Sequence, residues 1–395
     1  MAGWSAMAGT NDFEVPGEEQ ARDLVEALST HGFAYVTARP SPRGGWLVTV
    51  LDEGPYPVDT VGHRTIEAVA SAAGLIAREH GGYAAGGSRF DVSRLPSYRE
   101  AQAPVVRTNP GTRPPIPTVV VVPPPPSAPL ALTPDIAVED VPIDLSGLDD
   151  VPWAELSHAH GSAEDIPGLL RELADPYGDW DEILDELFGD DLLHQGTCYS
   201  ATAPALPYLS RLIRSGALPA RQRLHLHAWL LIAAGRLGDG LIAGAEVALV
   251  HGEPPEPASW TEEVYRAVDR ELPALLRRWE VEVPAVRFVL AALAGLYPVH
   301  GRQVVGRITA MAEEFEGTRA GAYLRLAEAL VQGRDESAGE LAAAIVAWED
   351  DLDPDWLDAP GVGVAVRAGQ VLTEGGLRTL SDVERAAVGG ETEPG

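Results

Sequence analysis

Residues 192–212 read LLHQGTCYSATAPALPYLSRL, and two readings of them compete. In one, Cys198 is a nucleophile served by His194 and Tyr199. In the other, Gly196 permits a turn, Ser200 or Thr202 caps a helix, and Leu206-Pro207-Tyr208-Leu209 belongs to its start. Proline suits a first helical turn because the N–H it lacks would have no partner inside the helix. The second reading recurs along the chain. Ile166-Pro167-Gly168-Leu169 lies about 40 residues upstream, with Arg171 in register with Arg211 and Leu173 with Ile213. Leu272-Pro273-Ala274-Leu275 and Val283-Pro284-Ala285-Val286 repeat the step without keeping the spacing. A period of about 40 residues is that of HEAT-type helical pairs. GDWDEILDELFGDD sets Trp180, Ile183, Leu184, Leu187 and Phe188 at helical spacing, with Asp181, Glu182, Asp185 and Glu186 toward the other side. Further helices are predicted near 219–236, 261–279, 284–296, 301–315, 320–333 and 336–349. Residues 151–395 therefore predict a HEAT-like α-solenoid or, the repeat being degenerate, an irregular helical array.

Strand signals gather at the other end of the chain. DFEV (12–15) is a short strand candidate, and FAYVTARP and GWLVTVLD alternate like paired strands joined by SPRGG. Between them EEQARDLVEALSTHG puts Ala21, Leu24, Val25 and Leu28 on one helical face, with Gly32 as its stop. TIEAVASAAGLIAREHGG repeats the pattern with Ile66, Val69, Ala70, Ala73 and Ile76. SRFDV supplies a last strand, and the glycines of HGGYAAGGSRF read as cap and loop. The order β-α-β-β-α-β predicts a ferredoxin-like α/β sandwich over residues 1–95. Residues 96–150 separate the two regions. NPGTRPPIPTVVVVPPPPSAPLALTP offers neither the N–H groups nor the φ freedom for a regular element, so it reads as a Pro-rich flexible linker.

Composition narrows the function. The chain has 395 residues, room for two domains, and its 45% hydrophobic content is that of a folded protein. Its one cysteine cannot form an internal disulfide, which suits a reducing cytoplasm. The start lacks a basic stretch followed by an apolar one, and no apolar run approaches the roughly 20 residues a membrane span needs. Net charge is −30, so a phosphate backbone is repelled and neither nucleic acid nor membrane is an expected partner. All 29 basic residues are arginine. Without lysine there is no Walker-A loop, no kinase strand lysine and no Schiff base.

The candidate chemistry is sparse. No third residue orients a Cys198–His194 pair, and cysteine is often buried as a small hydrophobe. His225 and His227 fall in a helix, where positions i and i+2 diverge. His158 and His160 precede a helix start at Ser162 and Asp165; in a strand such a pair could ligate zinc from one face, but no closing cysteine or H-E-x-x-H companion appears. EDDLDPDWLD (349–358) lacks the glycine and glutamate of a calcium loop. No metal and no cofactor is expected on these grounds.

The blocks VPWAELSHAHGSAEDIPGLLRELA and LLHQGTCYSATAPALPYLSRLI, within residues 151–213, resemble a group of actinobacterial HEAT-repeat-like proteins. The matching positions are Trp153, Leu156, His158, Ala159, Gly161, Ala163, Asp165, Pro167, Leu169 and Leu170. They continue with His194, Gln195, Gly196, Tyr199, Ala201, Thr202, Ala205, Pro207 and Leu209. Cys198 falls at an unspecified position of the pattern. Residues 17–92, through LIAREHGGYAAGGSRFDV, more faintly resemble the regulator of ribonuclease E activity B family. The first resemblance implies an interaction scaffold rather than an enzyme. The expected function is a non-enzymatic adaptor that binds a basic protein on an acidic helical surface, through His194, Gln195, Tyr199, Asp181, Asp185 and Glu186. Two alternatives stand beside it: an inhibitor or immunity-type protein that blocks a basic nucleic-acid-processing enzyme, and a hydrolase using Cys198, His194 or a histidine-bound metal.

Overall fold

Five strands form an antiparallel sheet, and apolar stripes on the helices between them cover it. In a computed structural model of the chain, the described residues are 4–42, 44–99, 103–109, 112–116, 122–127, 130–132, 143–175, 178–251, 259–349, 352, 357, 359 and 361–389. They divide into two units, residues 1–123 with 243–255 and 353–361, and residues 124–242 with 256–352 and 362–395.

The first unit runs β1 (Met7–Val15), α1 (Glu18–Thr30), β2 (Tyr35–Pro40), β3 (Trp46–Tyr56), α2 (Thr60–Glu79) and β4 (Tyr83–Asp91). This is the expected element order. All the pairings are antiparallel, in the order β4-β1-β3-β2, and a fifth strand, β5 (Val105–Thr108), extends the sheet beyond β2. Leu24, Val25 and Leu28 of α1 meet Ile66, Val69 and Ala73 of α2 over Phe13, Val36, Val48 and Val50 of the sheet. Helix α2 starts at Thr60, ahead of the expected TIEAV run, because Asp59 accepts a hydrogen bond from the Gly62 N–H at 2.8 Å.

Two expectations change here. The glycines of HGGYAAGGSRF do not all lie in a loop: Gly81, at φ +74°, makes the turn, while Gly86 and Gly87 pair with Asp12 and Asn11 inside β4. The register shifts between Asp12 and Phe13, a bulge that glycine accommodates. The stretch read as linker also contributes structure. Val105–Thr108 forms β5, directly after Pro104, where the missing N–H costs an edge strand nothing. Leu95–Arg99 forms the short α3, whose Tyr98 stacks on Phe90 at 3.9 Å between ring centroids. Further along, the carbonyls of Pro126 and Ala131 accept from the N–H groups of Arg319 and Ala285 in the second unit. Val119, Val120 and Val121 lie outside the described residues.

The second unit is helical apart from a two-residue ladder, β6 (Ser157–His158) with β7 (Gly161–Ser162). Its helices are α4 (Ile166–Glu172), α5 (Trp180–Leu184), α6 (Thr202–Ser215), α7 (Ala220–His251, of which residues 220–242 belong to this unit) and α8 (Ser259–Leu276). They continue with α9 (Pro284–Leu296), α10 (Pro298–Gly301), α11 (Val305–Glu314), α12 (Arg319–Val331), α13 (Asp335–Val346) and α14 (Val364–Gly389). Helix α5 runs on as wider π-helical turns over Asp185–Leu192. Pro167 and Pro284 occupy first turns as expected. Pro207 and Pro273 instead lie inside α6 and α8, because both helices begin further upstream, and each gives up one i→i−4 bond.

Helix α9, PAVRFVLAALAGL, buries nearly its whole circumference and is the centre of this unit. It packs on α12 and α14, and α12 in turn touches α11, α13 and α14. Helix α14 also returns to α7, where Thr373 closes over Gly235. In a simple solenoid each pair meets only its sequence neighbours. The return of α14 gives this unit a more closed core. Ala220–Ala245 of α7 has the length and composition to cross a membrane. It also carries Arg223 and Arg236 in ion pairs and buries Leu224, Leu226, Leu230 and Leu231, as a core helix does.

Candidate functional site

Local backbone geometry brings together the two sequence blocks that carry the resemblance. Trp153 donates from Nε1 to the Leu148 carbonyl at 2.8 Å and anchors a 3₁₀ turn that leads into β6. The β6–β7 hairpin turns through Ala159 and His160, with Gly161 at φ +142°, a conformation side-chain-bearing residues rarely adopt. His158 points inward and is 8% exposed, whereas His160 is exposed. Their rings are 6.2 Å apart and edge-to-face, so the H-x-H pair does not present one shared face.

The second block meets this hairpin from the far end of the π-helical turns. Asp190 is exposed there and Asp191 is buried. The chain then reverses through a 3₁₀ turn, His194–Gly196, in which Gln195 takes φ +50° and Gly196 φ +78°. The hydroxyls expected to cap α6 perform another task. Ser200 Oγ accepts from the Ser157 N–H at 2.7 Å, and Thr202 Oγ1 donates to the Leu192 carbonyl at 2.7 Å while accepting from the Tyr199 N–H. The Ala159 N–H donates to the Asp191 carbonyl at 3.1 Å, and the Ala201 N–H to the Ser157 carbonyl at 3.1 Å. Hairpin, π-helical end and the start of α6 are thereby fastened to one another.

Six ionisable side chains collect at this junction. His158 Nδ1 lies 2.8 Å from Asp191 Oδ1, and its Nε2 lies 3.4 Å from Asp165 Oδ1. The His160 backbone N–H also approaches His158 Nδ1, at 3.2 Å. Burial pushes the Asp191 carboxyl above its ordinary value, with the His158 charge opposing. Beside this pair the His160 and His194 rings stand edge-to-face at 5.4 Å between centroids. His160, His194 and Asp190 can place one ligand atom each within 4.8 Å of one another, and so can His158, Asp165 and Asp191. In each group an acid of the Asp190-Asp191 pair, distant in sequence from the hairpin histidines, lies adjacent to them in space.

The nucleophile reading loses its basis at the same place. Cys198 is 4% exposed, and burial pushes its thiol up to about 11, against the opposing Arg236 charge and a hydrogen bond with Thr261. A thiol in that state is not the thiolate a nucleophile requires. His194 Nδ1 is withdrawn from solvent and has no hydrogen-bond partner among the described residues, so it is not engaged as a base for Cys198. Of the other residues singled out for partner binding, Gln195 is exposed and Tyr199 half-buried. Asp185 and Glu186 are exposed on the first π-helical turn, and Asp181 faces Arg221 at 3.2 Å. His225 and His227 diverge as expected. His225 lies against Trp180, while His227 is fully buried with Nδ1 2.7 Å from the Arg223 carbonyl. EDDLDPDWLD falls largely outside the described residues.

Charge is sharply segregated in this unit. Residues 149–191 carry fourteen acidic side chains against the single Arg171, which is itself paired with Asp149 at 2.6 Å. Arginines gather elsewhere: Arg211, Arg214, Arg277 and Arg278 line a cleft of about 500 Å³ with Asp144 and Ser215. No family model, curated protein or solved structure matches this chain.

Proposed function

We propose that this chain is a non-enzymatic adaptor whose helical unit captures an arginine- or lysine-rich protein segment on the acidic lobe 149–191. The observation that carries the reading is the lobe's fourteen-to-one excess of acids, with Asp185 and Glu186 exposed on a backbone that the hairpin clamps in place. Such a surface attracts a basic partner from a distance and repels nucleic acid. The split βαβ order of the first unit is compatible with a ferredoxin-like fold, and the helical unit with a HEAT-like array whose core is closed by α14. A reducing cytoplasmic setting suits the lone, buried Cys198. The inhibitor reading draws on the same charge, whereas the high value of the Cys198 thiol weighs against cysteine chemistry.

The test compares two charge-matched variants of the full chain for binding to a polyarginine peptide. Asp181→Asn, Asp185→Asn and Glu186→Gln together neutralise the lobe. Glu313→Gln, Glu314→Gln and Glu336→Gln remove the same charge from exposed positions elsewhere. The lobe variant is expected to lose about tenfold in affinity and much of the salt dependence, while the control stays near the parent. Equal losses in both variants would reduce the effect to net charge and overturn the reading.

A further inference from the structure

We propose that His160, His194 and Asp190 form a binding site for a divalent transition-metal ion, with Zn(II) the best match. The inference goes beyond the adaptor reading and does not depend on a protein partner.

Three observations support it. The donor set is right: two imidazoles and one carboxylate are the ligands that borderline ions such as Zn(II) take, and three protein ligands leave a coordination position open. The spacing is right as well. Ligand atoms around a tetrahedral Zn(II) stand roughly 3.3 Å apart. Those of His160, His194 and Asp190 already lie within 4.8 Å of one another, and the exposed His160 and Asp190 side chains are free to turn inward. Most telling is what these groups lack. No hydrogen bond or ion pair engages the side chains of His160, Asp190 or His194 among the described residues, and His194 Nδ1 is buried without a partner. A buried imidazole nitrogen left in that state is costly unless something binds it.

The neighbouring trio behaves differently. His158, Asp165 and Asp191 are already paired with one another, so they serve as framework. Asp191 fixes the His158 ring through Nδ1 at 2.8 Å. The Ala159 N–H on the Asp191 carbonyl holds the same turn from its other side. On the opposite wall, the left-handed Gln195 sets His194 into its reversal. Non-glycine residues are rarely held there, and such strain concentrates where side chains must be aimed. The surrounding fourteen acids raise the local concentration of any cation. Only the two imidazoles give the site a preference for a transition metal over Mg²⁺ or Ca²⁺.

The experiment uses the full chain stripped with a chelator and titrated with Zn(II), and separately with Co(II), in excess Mg²⁺ to saturate diffuse acidic binding. One equivalent is expected to bind, with the visible Co(II) absorption of a nitrogen- and oxygen-ligated site. His160→Ala and His194→Ala should each weaken binding by about tenfold or more. Cys198→Ser and His300→Ala should leave it unchanged. Affinity should also fall in acid, where protons compete with the metal for its ligands. His160 is exposed, and unchanged far-UV circular dichroism of His160→Ala would separate loss of the site from loss of the fold. The proposal is overturned if His160→Ala with His194→Ala binds as the parent does, or if Mg²⁺ abolishes all Zn(II) binding. Because no polypeptide is present, neither result bears on the adaptor reading.

Discussion

His227 is enclosed on every side by the helical unit, with its Nδ1–H directed at the Arg223 carbonyl and Nε2 buried without a hydrogen bond. Burial drives its imidazole below the ordinary value. The groups around it explain why a second proton is unwelcome. Arg223 reaches the buried Glu282 at 2.9 Å, and Arg278 reaches the same carboxylate at 2.7 Å. Burial alone would raise Glu282, but His227 when protonated, and Arg223 and Arg278 at every pH, hold it below its usual value. For His227 the sign follows directly. Its folded value lies below the unfolded one, so between the two the unfolded chain binds the extra proton, and stability falls as pH drops below about 6.5. Urea midpoints measured from about pH 7.5 to about pH 5.5 should decline, and His227→Gln should flatten the decline by up to about 1.4 kcal/mol per pH unit. Parallel curves for parent and variant would remove His227 as the cause.

At the scale of single elements, β4 shows how a glycine pair can be strand and not loop. A Cβ on Gly87 would stand 2.5 Å from the Thr10 carbonyl oxygen of β1, so the β1–β4 pairing must open to admit it. Gly87→Ala is expected to destabilise the first unit by about 1–3 kcal/mol, the usual range for overpacking. Gly168 in α4 has open space around the same position, and Gly168→Ala should be neutral or slightly stabilising. Urea unfolding of both variants checks the pair, and equal effects would mean that backbone freedom matters more than close approach. The same contrast explains what was legible in the sequence. The α1 and α2 stripes were legible because residues such as Leu24, Leu28, Ile66 and Val69 repeat at the helical period and are all buried. The glycines of β4 carry no side-chain signal, so their strand was missed at its start. The π-helical widening after Leu184 was equally hidden, since DELFGDDL has the composition of an ordinary amphipathic helix. His158, His160, Asp165 and His194 stood out as residue types. Asp190 and Asp191 did not, because acids near a helix end look like solvated surface until a hairpin from another stretch closes on them.

For the molecule as a whole, two electrostatic effects oppose each other, and their magnitudes decide which prevails. Exposed pairs such as Arg22 with Glu18, Arg107 with Glu26 and Arg171 with Asp149 are each worth at most about 1 kcal/mol and weaken in salt. Against them stands self-repulsion among the unmatched acids. With 59 acids and 29 arginines, pairing every arginine would still leave 59 − 29 = 30 carboxylates without a basic partner. Nearly half that number of acids sits between residues 149 and 191, within a few screening lengths of one another, since the Debye length is about 10 Å at 0.1 M salt. The buried Arg223–Glu282 pair is screened much less by added ions and changes little with salt. Repulsion should therefore dominate the response. The thermal midpoint, followed by far-UV ellipticity, should rise by several degrees between about 10 mM and about 200 mM NaCl, over which the Debye length falls from about 30 Å to about 7 Å. Neutralising Asp181, Asp185 and Glu186 should raise the low-salt midpoint and shrink this increment, because part of the repulsion is then already gone. Asp181 gives up only an exposed pair with Arg221 in that variant, a small loss beside the relief. A midpoint that fell with added NaCl would show that the arginine pairs outweigh the crowd of acids, and the acidic lobe would then be no reservoir of unmet charge for a basic partner.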